Sequence, residues 1–181
     1  GASNATLLDM TGAYAGILNL GRAVKPYGME SLSLRGDDTP LMGQSGGPGQ
    51  QVIKPDAARS LIYMMNQVVE GGTGRHAKLA DREAAGKTGT SQDYRDAWFI
   101  GYTADMVAGV WMGNDNGARM QGVTGGGFPA RLWKGFMLEA HKGLPKRELF
   151  TQRYDANDDL GRPQPEQPGA VKKFFKSIFG E

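Results

Sequence analysis

Four consecutive residues, Lys87-Thr88-Gly89-Thr90, bring a cation, two hydroxyls and a residue without a Cβ into one short stretch. An acyl transferase acting on a peptide that ends in a carboxylate needs a cation and hydroxyl donors to hold that group. It also needs backbone amides aimed at the developing oxyanion. Lys87 offers the charge, Thr88 and Thr90 the hydroxyls, and Gly89 lets a bound chain lie against the strand. Four residues are a weak signal alone, since an edge strand that begins with Lys reads the same way.

Other chemistries fit less well. As a phosphate loop, Gly86-Lys87-Thr88 needs a Gly five positions before Gly86, and that position is Asp81. A carboxylate there repels phosphate, so the match fails and nucleotide binding is not expected. Gly43-Gln44-Ser45-Gly46-Gly47 has the spacing of a nucleophile elbow, which would make Ser45 an esterase serine. The elbow requires a buried strand before it and a helix after it. Asp37-Asp38-Thr39-Pro40 and Pro48-Gly49-Gln50 predict neither. His76 falls in a polar loop and His141 at a helix end, where it complements the helix dipole. Neither has a second His or Cys at ligand spacing, so no metal and no other cofactor is expected.

The elements that must position Lys87 to Thr90 read as follows. Ser3 or Asn4 caps a first helix carrying Leu7, Leu8, Met10, Tyr14, Ile17 and Leu18. Ser31-Leu32-Ser33-Leu34 alternates like a strand and leads into a Gly- and Pro-rich stretch, which predicts a hairpin or exposed loop. A second helix starts at Pro55, buries Ala57, Leu61, Met64, Met65 and Val68, and stops at Gly71-Gly72. A sheet begins at Lys87. One strand carries Ala97, Trp98 and Phe99, its neighbour runs from Met106 to Met112, and the short link between them requires an antiparallel hairpin. A third helix after Pro129 buries Leu132, Trp133, Phe136, Met137 and Ala140 and closes at Gly143.

Length and composition set the frame. The 181 residues, 39% apolar and 22% charged, suffice for one domain with a core. A net charge of +2 with dispersed basic residues gives no footprint for nucleic acid. No stretch approaches the roughly 20 apolar residues of a membrane span. Residues 1–150 read as one folded portion. Residues 151–181 read as a Pro- and Asp-rich linker and a basic amphipathic tail, Val171 to Phe179, suited to an anionic membrane surface or a partner groove but more readily a frayed end. The first residues lack an initiator Met and a signal-peptide pattern, so the chain reads as a piece of something longer.

Context strengthens the four-residue motif. Gly72-Thr73-Gly74, Ala85-Gly86-Lys87-Thr88-Gly89-Thr90, Asp96-Ala97-Trp98-Phe99-Ile100-Gly101-Tyr102 and Val107-Ala108-Gly109-Val110-Trp111-Met112-Gly113-Asn114-Asp115 follow in order. Together with Thr6-Leu7-Leu8-Asp9-Met10 upstream and Thr124-Gly125-Gly126, Pro129-Ala130 and Trp133-Lys134-Gly135-Phe136-Met137 downstream, they closely resemble the transpeptidase domain of class A (bifunctional) penicillin-binding proteins. The resemblance covers roughly residues 1 to 140. It implies the serine β-lactamase and D,D-peptidase fold, of α+β class, with an antiparallel sheet flanked by helices and here incomplete. It further implies that Lys87, Thr88, Gly89 and Thr90 bind substrate, that the Thr90 backbone amide forms half of an oxyanion hole, and that stem peptides of peptidoglycan or β-lactams pair with this strand. A glycosyltransferase domain and a location on the periplasmic side of the inner membrane are implied for the parent protein.

The family's nucleophile lies in Ser-x-x-Lys and is assisted by Ser-x-Asn. Neither is present. Three residues after Ser3, Ser31, Ser33, Ser45, Ser60, Ser91 and Ser177 stand Thr6, Leu34, Gly36, Pro48, Tyr63, Tyr94 and Gly180. The segment alone is therefore expected to be inactive. Its uncovered sheet is expected to associate with a second copy or with the missing N-terminal part. A non-catalytic module that recognises D-Ala-ended peptides or a regulator is the alternative reading of the same strand.

Overall fold

The computed structural model describes residues 5–37, 39–43, 47 and 49–149. The elements in chain order are α1 (Leu7–Leu18), β1 (Ser31–Ser33), β2 (Pro40–Gly43), α2 (Pro55–Glu70), β3 (Ala85–Thr90), β4 (Asp96–Tyr102), β5 (Val107–Gly113) and α3 (Phe128–Ala140). Single 3-10 turns at Arg75–Ala77 and Gln92–Tyr94 precede and follow β3. The fold is α+β, as the sequence pattern requires. The Ser45 elbow and the basic tail lie outside the described residues. The hairpin before Ser45 is exposed throughout, so it is no buried strand leading into an elbow.

α1 starts at Thr6, whose hydroxyl accepts from the Asp9 amide at 3.1 Å and donates to the Asp9 carboxylate at 2.5 Å. The cap is thus Thr6, and the Ser3 or Asn4 expected from the sequence lies outside the described residues. α2 spans the expected stretch, but its buried line is Ala58, Ile62, Asn66 and Val69, one position on from the predicted stripe. Met64 is 54% exposed. The physical reason is a polar residue in the core: the Asn66 side-chain amide donates to the Ala84 carbonyl at 2.9 Å, at the start of β3. A buried amide with a partner is favourable, and hydrophobicity alone gives no reason to place it inward.

β3, β4 and β5 form one antiparallel sheet in that order, with Lys87 opposite Ile100, Thr88 opposite Phe99 and Phe99 opposite Val110. Side chains alternate, so Thr88, Thr90, Phe99 and Val110 share one face while Lys87, Ile100 and Gly109 share the other. α3 covers the first face. Trp133 meets Phe99 edge to face, with centroids 5.3 Å apart, and its indole N–H donates to the carbonyls of Gly101 (3.2 Å) and Ala108 (3.1 Å). One side chain therefore ties α3 to two strands. The buried line of α3 is Pro129, Ala130, Trp133 and Met137; Leu132 and Phe136 are 56% and 55% exposed and do not join the core as predicted. The sheet meets α3 along a narrow stripe and leaves those two on the far side.

α1 crosses the second face. A Cβ on Gly109 would stand 2.4 Å from the Thr11 hydroxyl and 2.9 Å from Leu7, so glycine there permits the helix to reach the sheet. His141 is buried at the end of α3. Its Nδ1–H donates to the Met137 carbonyl (2.8 Å), and its Nε2 is hydrogen-bonded with Thr103 Oγ1 at 2.9 Å. It satisfies a terminal helix carbonyl from inside the core, which agrees with the expected place at a helix end.

Candidate active site

β3 is one of the two outer strands of the sheet; among the described residues only β4 pairs with it. A cavity of about 710 Å³ opens between β3 and α1, lined among others by Met10, Tyr14, Lys87, Gly89, Trp98 and Trp111. Burial alone pushes the Tyr14 phenol above its ordinary pKa, so it is neutral there. Lys87 is exposed, and its ammonium donates to the Thr88 carbonyl at 2.9 Å. Among the described residues it is in no ion pair.

The carboxylate that also lines this cavity is already held. Asp96 accepts from Ser91 Oγ (3.0 Å) and from the Trp111 indole (3.0 Å), while its own amide donates to Ser91 Oγ at 2.7 Å. Trp98 stands tilted against Trp111, with centroids 6.4 Å apart. The cation is thus available to an incoming carboxylate, and its acidic neighbour is occupied by the aromatic wall.

Thr88 and Thr90 point to the opposite face from Lys87, where a loop braces them. Gly125 N–H donates to Thr90 Oγ1 at 3.1 Å, and Thr73 Oγ1 lies 2.9 Å from Thr88 Oγ1. The His76 Nδ1–H donates to the Gly126 carbonyl at 2.7 Å, which ties the turn after α2 to the same loop. A Cβ on Gly89 would stand 3.2 Å from Trp98 Cβ, so the glycine also serves the fit between β3 and β4. Asp93 (φ 60°) and Tyr94 (φ 55°) place two left-handed residues in the turn that follows the strand. Arg119 pairs with Asp93 at 2.8 Å across that turn.

All four residues predicted for the site are thus on one strand edge, but divided between two faces. Thr73, His76, Ser91, Asp96, Trp111 and Gly125 were not assigned roles from sequence. Gly72-Thr73-Gly74 and Thr124-Gly125-Gly126 were visible as parts of the family pattern, yet nothing local says they meet β3. No group of three or more His, Cys, Asp or Glu suited to a metal occurs among the described residues, and no helix among them is long and apolar enough to cross a membrane.

Fold and site together define an α+β protein whose outer strand presents a lysine to a cavity and two braced threonines behind it. The chain belongs to the penicillin-binding protein transpeptidase domain family, which it matches over residues 1–124. It is 30% identical over 150 residues to penicillin-binding protein 1A of Aquifex aeolicus, covering 82% of this chain and 20% of that protein. With penicillin-binding protein 1A of Neisseria lactamica it shares 34% identity over 156 residues, 82% of this chain and 19% of the relative. Among solved structures, the penicillin-binding protein PonA1 of Mycobacterium tuberculosis superposes with a TM-score of 0.71 at 27% identity, covering 79% of this chain and 40% of that one. Penicillin-binding protein 1A of Haemophilus influenzae gives 0.70 at 25% identity, with 82% and 28% covered. The chain spans about a fifth of the length of these curated relatives.

Proposed function

We propose that this chain is part of a longer D,D-transpeptidase that cross-links peptidoglycan stem peptides through a serine acyl-enzyme. The serine nucleophile is then supplied by residues outside these 181. Lys87 holds the carboxylate of the D-Ala-ended peptide, or of a β-lactam in its place. Thr88 and Thr90 add hydroxyl donors, and the edge of β3 pairs with the bound chain. The observation that carries this reading is Lys87, a cation in no ion pair among the described residues, at a cavity on the outer strand. The named relatives support it, as does their greater length. A companion glycosyltransferase domain and a position on the periplasmic side of the inner membrane belong to the same reading of the parent.

Labelling with fluorescent penicillin tests it. The full-length protein should be acylated, and Lys87→Ala should slow acylation by roughly 10- to 100-fold, the loss of a hydrogen bond between charged groups. The isolated 181-residue chain should remain unlabelled. A full-length protein that never acylates, or acylation of the isolated chain at any of its own serines, would overturn the proposal.

A further inference from the structure

Thr73 lies outside the strand that carries the motif, in the turn that follows α2, yet its Oγ1 is 2.9 Å from Thr88 Oγ1. A hydroxyl has one proton and can accept two further hydrogen bonds. If Thr88 donates to Thr73, it has no proton left for a substrate carboxylate. If Thr73 donates, Thr88 is held as an acceptor and keeps its proton for the ligand. Thr90 shows the second arrangement, because the Gly125 N–H can only donate and Thr90 Oγ1 accepts it at 3.1 Å.

We propose that Thr73 is a positioning residue, whose O–H donates to Thr88 Oγ1 and leaves the Thr88 proton directed at the substrate carboxylate. This rests on the transpeptidase reading above. The turn is built to hold Thr73 still. The Gly72 and Gly74 amides on either side donate to the Gln67 and Val68 carbonyls at 3.1 and 2.9 Å. Gly126 presses on it from the other side: a Cβ there would be 2.1 Å from the Thr73 carbonyl oxygen and 3.6 Å from Thr88 Cγ2. His76 fixes that glycine through its carbonyl, to which Nδ1 must donate since a carbonyl only accepts. Thr73 and Gly125 thus place a donor behind each of the two threonines.

The experiment is a mutant cycle in the full-length protein, read as the second-order acylation rate constant. Probes are benzylpenicillin and its methyl ester, which lacks the carboxylate. Thr73→Val keeps the shape and removes the donor; it should slow acylation by benzylpenicillin roughly tenfold and leave the ester rate unchanged. Thr73→Ser should stay within about twofold of the parent. Thr73→Val combined with Thr88→Val should be no slower than Thr88→Val alone, because Thr73 acts only through that hydroxyl. An unchanged rate for Thr73→Val, an equal loss for the ester, or a double variant showing the product of both losses would overturn the role. If Thr88→Val itself leaves the rate unchanged, the carboxylate-holding reading falls and this inference with it. If Thr88→Val is slow and Thr73→Val is not, only the role of Thr73 falls.

Discussion

Replacing Gly125 with alanine puts a methyl carbon 2.1 Å from the Trp98 carbonyl oxygen, 2.5 Å from the Gly89 oxygen and 2.8 Å from the Gly89 nitrogen. All three are backbone atoms of paired strands, so the loop must move rather than the sheet. Restoring an ordinary contact of about 3.4 Å to the Trp98 oxygen requires a retreat of roughly 1.3 Å (3.4 minus 2.1). That opens the 3.1 Å bond from Gly125 N–H to Thr90 Oγ1 beyond hydrogen-bonding range. The lost bond costs about 0.5–1.5 kcal/mol of stability, and the forced fit adds about 1–3 kcal/mol. Thr90 also loses the donor that orients it, and a displacement of about 1 Å at such a group can lower reactivity by about 10²-fold. Gly135, exposed in α3 with nothing within 4 Å of its would-be Cβ, supplies the control for the same chemical change. Gly135→Ala should stabilise by about 0.5–1 kcal/mol. Both variants are compared in the full-length protein by thermal melting and by the rate of penicillin acylation. A Gly125→Ala protein that melts and acylates like the parent would refute the argument, because it would mean the loop does not press on β3 and β4.

Two further expectations concern the core behind the site. Trp133→Phe keeps an aromatic ring against Phe99 but removes the N–H shared by the Gly101 and Ala108 carbonyls. Denaturant unfolding should show a loss of about 2 kcal/mol, and a loss below about 0.5 kcal/mol would mean that Trp133 does not tie the strands together. Burial raises the Tyr102 phenol far above its ordinary pKa of 10.0, with a smaller repulsion from Tyr14 acting the same way. The folded state therefore keeps a proton that the unfolded chain releases above about pH 10. Stability from Tyr102 is complete below that pH and falls above it, by up to about 1.4 kcal/mol per pH unit. Melting temperatures from pH 9 to 11 should show a steeper decline for the parent than for Tyr102→Phe, and equal slopes would contradict the assignment.

How far the sequence was legible depends on the range over which each feature is decided. Pro55 and Gly71 bound α2, the short link at Tyr102-Thr103-Ala104-Asp105 forces an antiparallel hairpin, and Lys87 to Thr90 fall on a strand, as their pattern predicts. Each follows from residues within a few positions of one another, so local propensity and motif spacing suffice. The inward line of α2 was off by one residue because Asn66 is buried by a carbonyl 18 positions away. Leu132 and Phe136 look like core by periodicity, but only the shape of the sheet decides how wide a stripe of α3 it covers.

The site shows the same division. The sequence by itself determined the family, the fold class and the four residues of the outer strand. Tertiary structure alone decided that Lys87 faces the cavity with α1 while Thr88 and Thr90 face the loop. It alone decided that Thr73 reaches Thr88 across 15 positions, Gly125 reaches Thr90 across 35, and His76 reaches Gly126 across 50. Such pairings join hydroxyls and amides that carry no hydrophobic period, and their partners come together only when α2, the sheet and the loop before α3 have packed.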